Sequence, residues 1–171
     1  LSMLAPGRND MKILVTGATG LIGKALCREL FRANHALVIT SRDRSRAMAT
    51  VPYAREVIEW DGLADLSENA EIKVFNDIEA VIHLMGEPIA DRRWTETVRR
   101  RLIESRIVST RQLAAALKAN AHKLKVFIQA SAIGIYGDRD DEILDEQSFA
   151  GTGFIPDLCT NWEAEADRAR L

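Results

Sequence analysis

The sequence predicts a doubly wound α/β fold: a parallel sheet of five strands in the order 3-2-1-4-5, with helices on both faces. Three observations point to it. Five short apolar runs recur along the 171 residues, and most are followed by a stretch of helical periodicity. The first run passes into three glycines at a spacing of three, and these open an amphipathic helix. The other glycine-bearing and polar segments of interest begin just after a run ends, at the edge where open parallel sheets bind ligands.

Composition sets the outer limits. Hydrophobic residues make up 47% and charged residues 28%, an ordinary globular balance that argues against disorder. A net charge of −2 gives no basic field for nucleic acid, and no apolar run reaches membrane-spanning length. Neither a nucleic acid nor a membrane is therefore expected as a partner, and no metal site is expected. The N-terminus does not read as a secretory signal. Two cysteines, Cys27 and Cys159, are too few for a disulfide framework, so a cytoplasmic setting is expected. Residues 1–10 precede Met11, lack periodicity and carry Pro6 and Gly7; they read as a tag or frayed extension, with one domain over 11–171.

Ile13, Leu14 and Val15 form the first buried strand, and Ile22, Ala25, Leu26, Leu30 and Ala33 recur at helical spacing behind it. Between them lies Thr16-Gly17-Ala18-Thr19-Gly20-Leu21-Ile22-Gly23. Gly17 permits the turn out of the strand, Gly20 lets a pyrophosphate reach the backbone, and Gly23 lets the helix pack closely. The free N–H groups of the helix starting near Leu21 then face the phosphates. Thr19, Leu21 and Ile22 belong to this loop. A P-loop is excluded by spacing, since Ala18 and Ala25 stand where it needs Gly and Ser or Thr.

Ala36 to Ser41 is the second strand. At its end an NAD site usually has an acid for the ribose hydroxyls; Thr40, Ser41 and Arg42 offer none. Arg42 suits a 2′-phosphate, and Arg44 and Arg46 add positive field, so NADP(H) is expected over NAD(H). Val57 to Trp60 is the third strand. Asp61 follows it, placed either to contact adenine or to cap what comes next. Leu63 to Asn76 reads as a helix. The fourth strand runs from Ala80 to Met85, ending at Gly86, which lets a ribose and pyrophosphate lie against the backbone; Glu87 and Pro88 open the next loop, Pro88 ending the strand. His83 inside the strand reads as a core histidine.

A long helical stripe then runs Val98, Leu102, Arg106, Thr110, Leu113, Leu117. Arg106 on this apolar face needs a partner, for which a cofactor phosphate and Glu87 or a carbonyl fit equally well. Arg99 to Arg101 read as a solvated face. Leu124 to Ala130 is the fifth strand, followed by Ser131 and then by Tyr136-Gly137-Asp138. Residues 139–156 read as a long acidic loop, and a last helix is read from Trp162.

The glycine motif, the strand ending His83-Leu84-Met85-Gly86, Ser131 and Tyr136-Gly137 together resemble an extended short-chain dehydrogenase/reductase of the nucleotide-sugar epimerase/dehydratase type. Gly86-Glu87-Pro88-Ile89, Arg93-Trp94, Ser105-Arg106 and Cys159-x-x-Trp162-Glu163 resemble its atypical branch of epimerase family proteins. The resemblance spans Met11 to Leu171. It implies a Rossmann domain binding a dinucleotide, with Ser41 and Arg42 on the 2′-phosphate, Leu84 and Met85 on the ribose side and Arg106 reaching the cofactor. It also implies further strands and a substrate-binding part beyond Leu171.

Such enzymes use a Ser, a Tyr and a Lys four residues after the Tyr, the Lys depressing the phenol's pKa for proton transfer. Here the matching region, Asp157 to Glu163, has neither Tyr nor Lys. Ser131 and Tyr136 remain as catalytic candidates. Two functions follow: an NADP(H)-dependent oxidoreductase or epimerase-like domain acting on a small-molecule carbonyl or alcohol, or a non-catalytic NADP(H) sensor.

Overall fold

A computed structural model describes residues 10–66, 72–90 and 93–169. Strands β1 (Lys12–Thr16), β2 (Ala36–Ser41), β3 (Glu56–Glu59), β4 (Ala80–His83) and β5 (Val126–Gln129) form one sheet in the order β3-β2-β1-β4-β5. Every neighbouring pair is parallel. The expected class and strand order are therefore those observed.

Alternate residues of β1, β2, β3 and β4 feed two separate cores, which is why these strands read as unbroken apolar runs. Leu14, Val38, Ile58 and Val81 pack on one face with Phe75, Leu113 and Leu117. Ile13, Val15, Leu37, Ile39 and Ile82 pack on the other with Cys27, Ala47 and Val51. The first face is covered by α4 (Ser109–Asn120), the second by α1 (Leu21–Arg32) and α2 (Arg44–Thr50). The outer strands differ in chemistry: β3 begins and ends in Glu56 and Glu59, whereas β5 reads Val-Phe-Ile-Gln, with Val126 and Ile128 exposed.

Four expected boundaries are corrected. β4 ends at His83, not at Met85: the Leu84 N–H makes the last ladder bond, to the carbonyl (3.3 Å) of Thr16, where β1 itself ends, and also meets its hydroxyl (3.2 Å), five residues before any effect of Pro88 is needed. The helix read over Leu63–Asn76 is replaced by bends at 62–64 and a 3-10 helix, Ile72–Asp77; residues 67–71 lie outside the described residues. The last helix, α5 (Phe154–Asp167), begins eight residues before Trp162. Pro156 sits in its first turn, where no N–H is needed, so it does not mark a loop.

The fourth correction is the long stripe. Helix α3 (Glu96–Ile103) joins α4 through a π-helical segment, Glu104–Val108. Steps of four residues from Val98 to Thr110 gain about 40° each on an ideal α-helix. The wider π turn absorbs that drift, so Leu102, Arg106, Thr110, Leu113 and Leu117 are all buried. π-bulges concentrate at functional positions, and this one holds Arg106.

Candidate functional site

The glycine loop is shaped by backbone crowding. Gly17 has φ +68°, and a Cβ there would lie 2.8 Å from the Leu84 carbonyl group. A Cβ on Gly23 would lie 2.2 Å from the Gly17 carbonyl oxygen and 2.7 Å from the Ala18 Cα, so this glycine packs α1 against the loop itself. No side chain caps α1, and its first turn carries no acid. Its leading N–H groups are thus open to an outside acceptor.

Beside this helix end lies a cleft of about 310 Å³. The structure brings Gly17, Thr19, Gly20, Ser41, Arg42, Asp61, Leu84, Met85, Gly86 and Glu87 onto its walls, from the ends of β1, β2, β3 and β4. Leu21, Ile22 and Gly23 stand in the first turn of α1 rather than on the walls. Arg106 is not on the walls either.

The polar groups of the cleft are partly committed. Ser41 Oγ donates to the Asp43 carbonyl (3.0 Å) and accepts from the Asp43 N–H (3.2 Å). Asp61 Oδ1 accepts from the N–H groups of Leu63 (2.8 Å) and Ala64 (3.0 Å). The Ala64 and Leu63 donors hold its carboxyl below the usual range despite partial burial, and Arg42 adds to the effect. Its capping role is therefore occupied by a turn, not by a helix.

Thr40 and Arg46 line the cleft as the strand-end reading expects, and Asp43, Trp60 and Ser105 line it beyond the residues expected there. Asp43 corrects the expectation that this corner lacks a carboxylate. Its Oδ1 caps α2 by accepting from the Arg46 N–H (2.9 Å), which engages part of its charge locally. An acid opening a basic helix was the available signal. Thr40 Oγ1 is buried and has no hydrogen-bond partner among the described residues.

Arg106 is 8% exposed. Its guanidinium carbon lies 5.3 Å from the Trp162 ring, and a Cβ on Gly86 would come within 3.2 Å of it. Its one hydrogen bond to the described residues is to Ser105 Oγ at 3.5 Å. Burial lowers its pKa from the ordinary arginine value, opposed by Cys159 and Glu87. Such a cation is costly without an anion or further acceptors. An uncapped helix start, a loop that side chains would obstruct, a free threonine hydroxyl and an under-satisfied guanidinium are features that fit a dinucleotide diphosphate.

His83 is wholly buried, as a core histidine should be. Its Nδ1 lies 2.6 Å from Thr16 Oγ1 and its Nε2 2.9 Å from Thr110 Oγ1, which also accepts from Trp162 Nε1 (3.0 Å). Burial pulls its pKa down to about 4.

Ser131 and Tyr136 lie elsewhere, on a second cavity of about 500 Å³ shared with Glu146, Ser148 and Glu163. Ser131 Oγ donates to Glu163 Oε1. The phenol of Tyr136 makes no hydrogen bond to the described residues. Glu163 was not singled out from sequence as a functional side chain; its partner is 32 positions away, and no local pattern announces the contact.

Residues 13–154 match the family model described as NAD dependent epimerase/dehydratase family. An epimerase family protein of Mycobacterium leprae is 36% identical over 160 residues, covering 94% of this chain and 48% of that protein. The crystal structure of human epimerase family protein SDR39U1 (isoform 2) with NADPH superposes with a TM-score of 0.72 at 30% identity, over 91% of this chain and 48% of that one. UDP-glucuronic acid 4-epimerase from Bacillus cereus in complex with NAD shares the fold, with a TM-score of 0.73 at 24% identity over 93% of this chain and 52% of that one. The chain thus spans about half the length of the curated relatives it matches.

Proposed function

The chain belongs to the NAD dependent epimerase/dehydratase family, and from that premise we propose that it binds NADP(H) in the cleft beside α1. It would serve an oxidoreductase or epimerase-like reaction on a small-molecule carbonyl or alcohol. The observation carrying this reading is the uncapped start of α1 over a glycine loop whose backbone cannot accept side chains. Gly17, Gly20 and the first turn of α1 would hold the pyrophosphate, Leu84 to Gly86 the ribose beyond it, and Ser41 and Arg42 the 2′-phosphate. Support for the phosphorylated cofactor comes from Arg42 and Arg46 on the cleft wall and from the NADPH in the human relative. When bound, the nicotinamide supplies a two-electron hydride donor or acceptor. Arg106, next to Gly86, would offer its unspent N–H donors to the cofactor.

A second reading keeps the binding and drops the turnover: a sensor that uses the nucleotide as a ligand. What favours it is helix α5, where the stretch Asp157–Glu163 carries no Tyr and no Lys. Calorimetric titration with NADPH and NADH tests the first step; the expected result is heat from NADPH at lower concentration than from NADH, and no heat from either overturns the reading. Both cysteines are buried and unpaired, which suits a reducing cytoplasm. Among the described residues no helix is long and apolar enough to cross a membrane.

A further inference from the structure

The cavity past β5 contains proton-handling chemistry that the missing Tyr and Lys do not explain. Ser131 stands two residues beyond the end of β5, at the same carboxyl edge as the cleft. Glu163 stands on α5, and the two side chains are hydrogen-bonded to each other on the wall of one cavity. Both are solvent-accessible in this chain, so a small molecule can reach them and the carboxyl can exchange protons with water. The residue before Glu163, Trp162, stacks on Arg106, and Arg106 packs under Gly86 on the cleft wall. Trp162 and Arg106 thus form a packed link between the helix that carries Glu163 and the cleft wall at Gly86.

We propose that Ser131 is the catalytic hydroxyl of this site and that Glu163 is the group that stores its proton, together replacing a tyrosine–lysine pair. This rests on the reading of the cleft as a dinucleotide site. With Ser131 donating to Glu163, a lone pair of Ser131 Oγ is left to accept the hydroxyl of an alcohol. As that alcohol is oxidised, its O–H bond breaks, the proton passes to Ser131 Oγ, and the serine's own proton passes to Glu163 Oε1. In the reverse direction protonated Glu163 would return its proton to Ser131, and Ser131 would protonate the carbonyl oxygen, a bound dinucleotide supplying the hydride to carbon in this direction and accepting it in the other. One proton and one hydride are exchanged in each direction, and Glu163 ends as acid or as carboxylate accordingly. Tyr136 shares the cavity, and its phenol makes no hydrogen bond to the described residues. The substrate class this favours is a small carbonyl or alcohol whose oxygen reaches Ser131, with no need of a phenol.

The test uses NADPH with 9,10-phenanthrenequinone as the carbonyl probe, on the wild-type protein and on E163Q, E163D and S131A. E163Q keeps an acceptor for the serine but cannot give up a proton, so kcat should fall by about 10²–10⁴-fold, the range general acid catalysis supplies. KM for the quinone and calorimetric affinity for NADPH should stay within about threefold, and E163D should restore part of kcat. Independently of turnover, the carbon-13 signal of the Glu163 carboxyl, identified by its loss in E163Q, should move in S131A. The proposal is overturned by an E163Q rate within tenfold of wild type, by an unmoved carboxyl signal in S131A, or by wild-type protein that binds NADPH and leaves the quinone unreduced. Loss of activity in Y136F with full activity in E163Q would also overturn it and give the role to the phenol. Failure of wild-type protein to bind NADPH at all would instead strike the reading of the cleft, and the proposal with it.

Discussion

Two arginines separate recognition from stability. Arg42 is exposed on the cleft wall, and its local acids, Asp43 and Asp61, are held by backbone N–H groups. Its guanidinium is thus available to an added phosphate. Arg42→Glu should weaken NADPH binding roughly ten- to hundredfold, the loss of one or two charge-assisted hydrogen bonds, and NADH binding by much less. Equal losses in calorimetry would remove the 2′-phosphate assignment. Arg106 is the opposite case. Its one bond to the described residues is long, and its contact with Trp162 is worth about 1 kcal/mol against a larger cost of burial. Arg106→Leu should leave denaturant stability unchanged or raise it while lowering dinucleotide affinity. A variant that unfolds but binds normally in its folded fraction would assign Arg106 to structure.

At the scale of elements, the tightest constraint is the seat of α1 on its own loop. Gly23→Ala drives a methyl into backbone atoms of Gly17 and Ala18, so either the helix or the loop must move. A loss of about 1–3 kcal/mol in urea unfolding and at least tenfold weaker dinucleotide binding are expected. Strands β1 and β2 and helix α1 were legible because their apolar period and glycines agree. The start of α5 was not, because Gly153 and Pro156 are loop residues by composition and first-turn residues by geometry. The π segment left a trace in the four-residue steps from Val98 to Thr110, but only burial shows that all of them need to face one way. Glu163 was legible only as part of the Cys159-x-x-Trp162-Glu163 motif, since its contact lies with a hydroxyl brought to it by the end of another strand.

For the molecule as a whole, the buried ring of His83 ties β1, β4, α4 and α5 together. Each threonine hydroxyl already accepts one N–H, from Leu84 or from Trp162. A neutral ring completes the chain by giving one proton and taking one. A charged ring would offer two protons and accept none, so neither threonine hydroxyl could donate to it. The folded pKa of about 4 lies below the ordinary value of 6.5, so between these the unfolded chain binds more protons. Stability from this group is therefore whole above about pH 6.5 and falls by roughly 3 kcal/mol as the pH drops toward 4. Denaturation at stepped pH should show that slope, with the His83 nitrogens still neutral at about pH 5 by nitrogen-15 NMR.

The contrast between the two outer strands bears on how the protein behaves at high concentration. β3 carries a charged glutamate at each end, whereas Val126 to Gln129 carries no charge along an edge that pairs with no further strand among the described residues. Concentrated samples of these 171 residues taken alone should therefore self-associate strand to strand along β5, and Ile128→Lys should lower that association in light scattering.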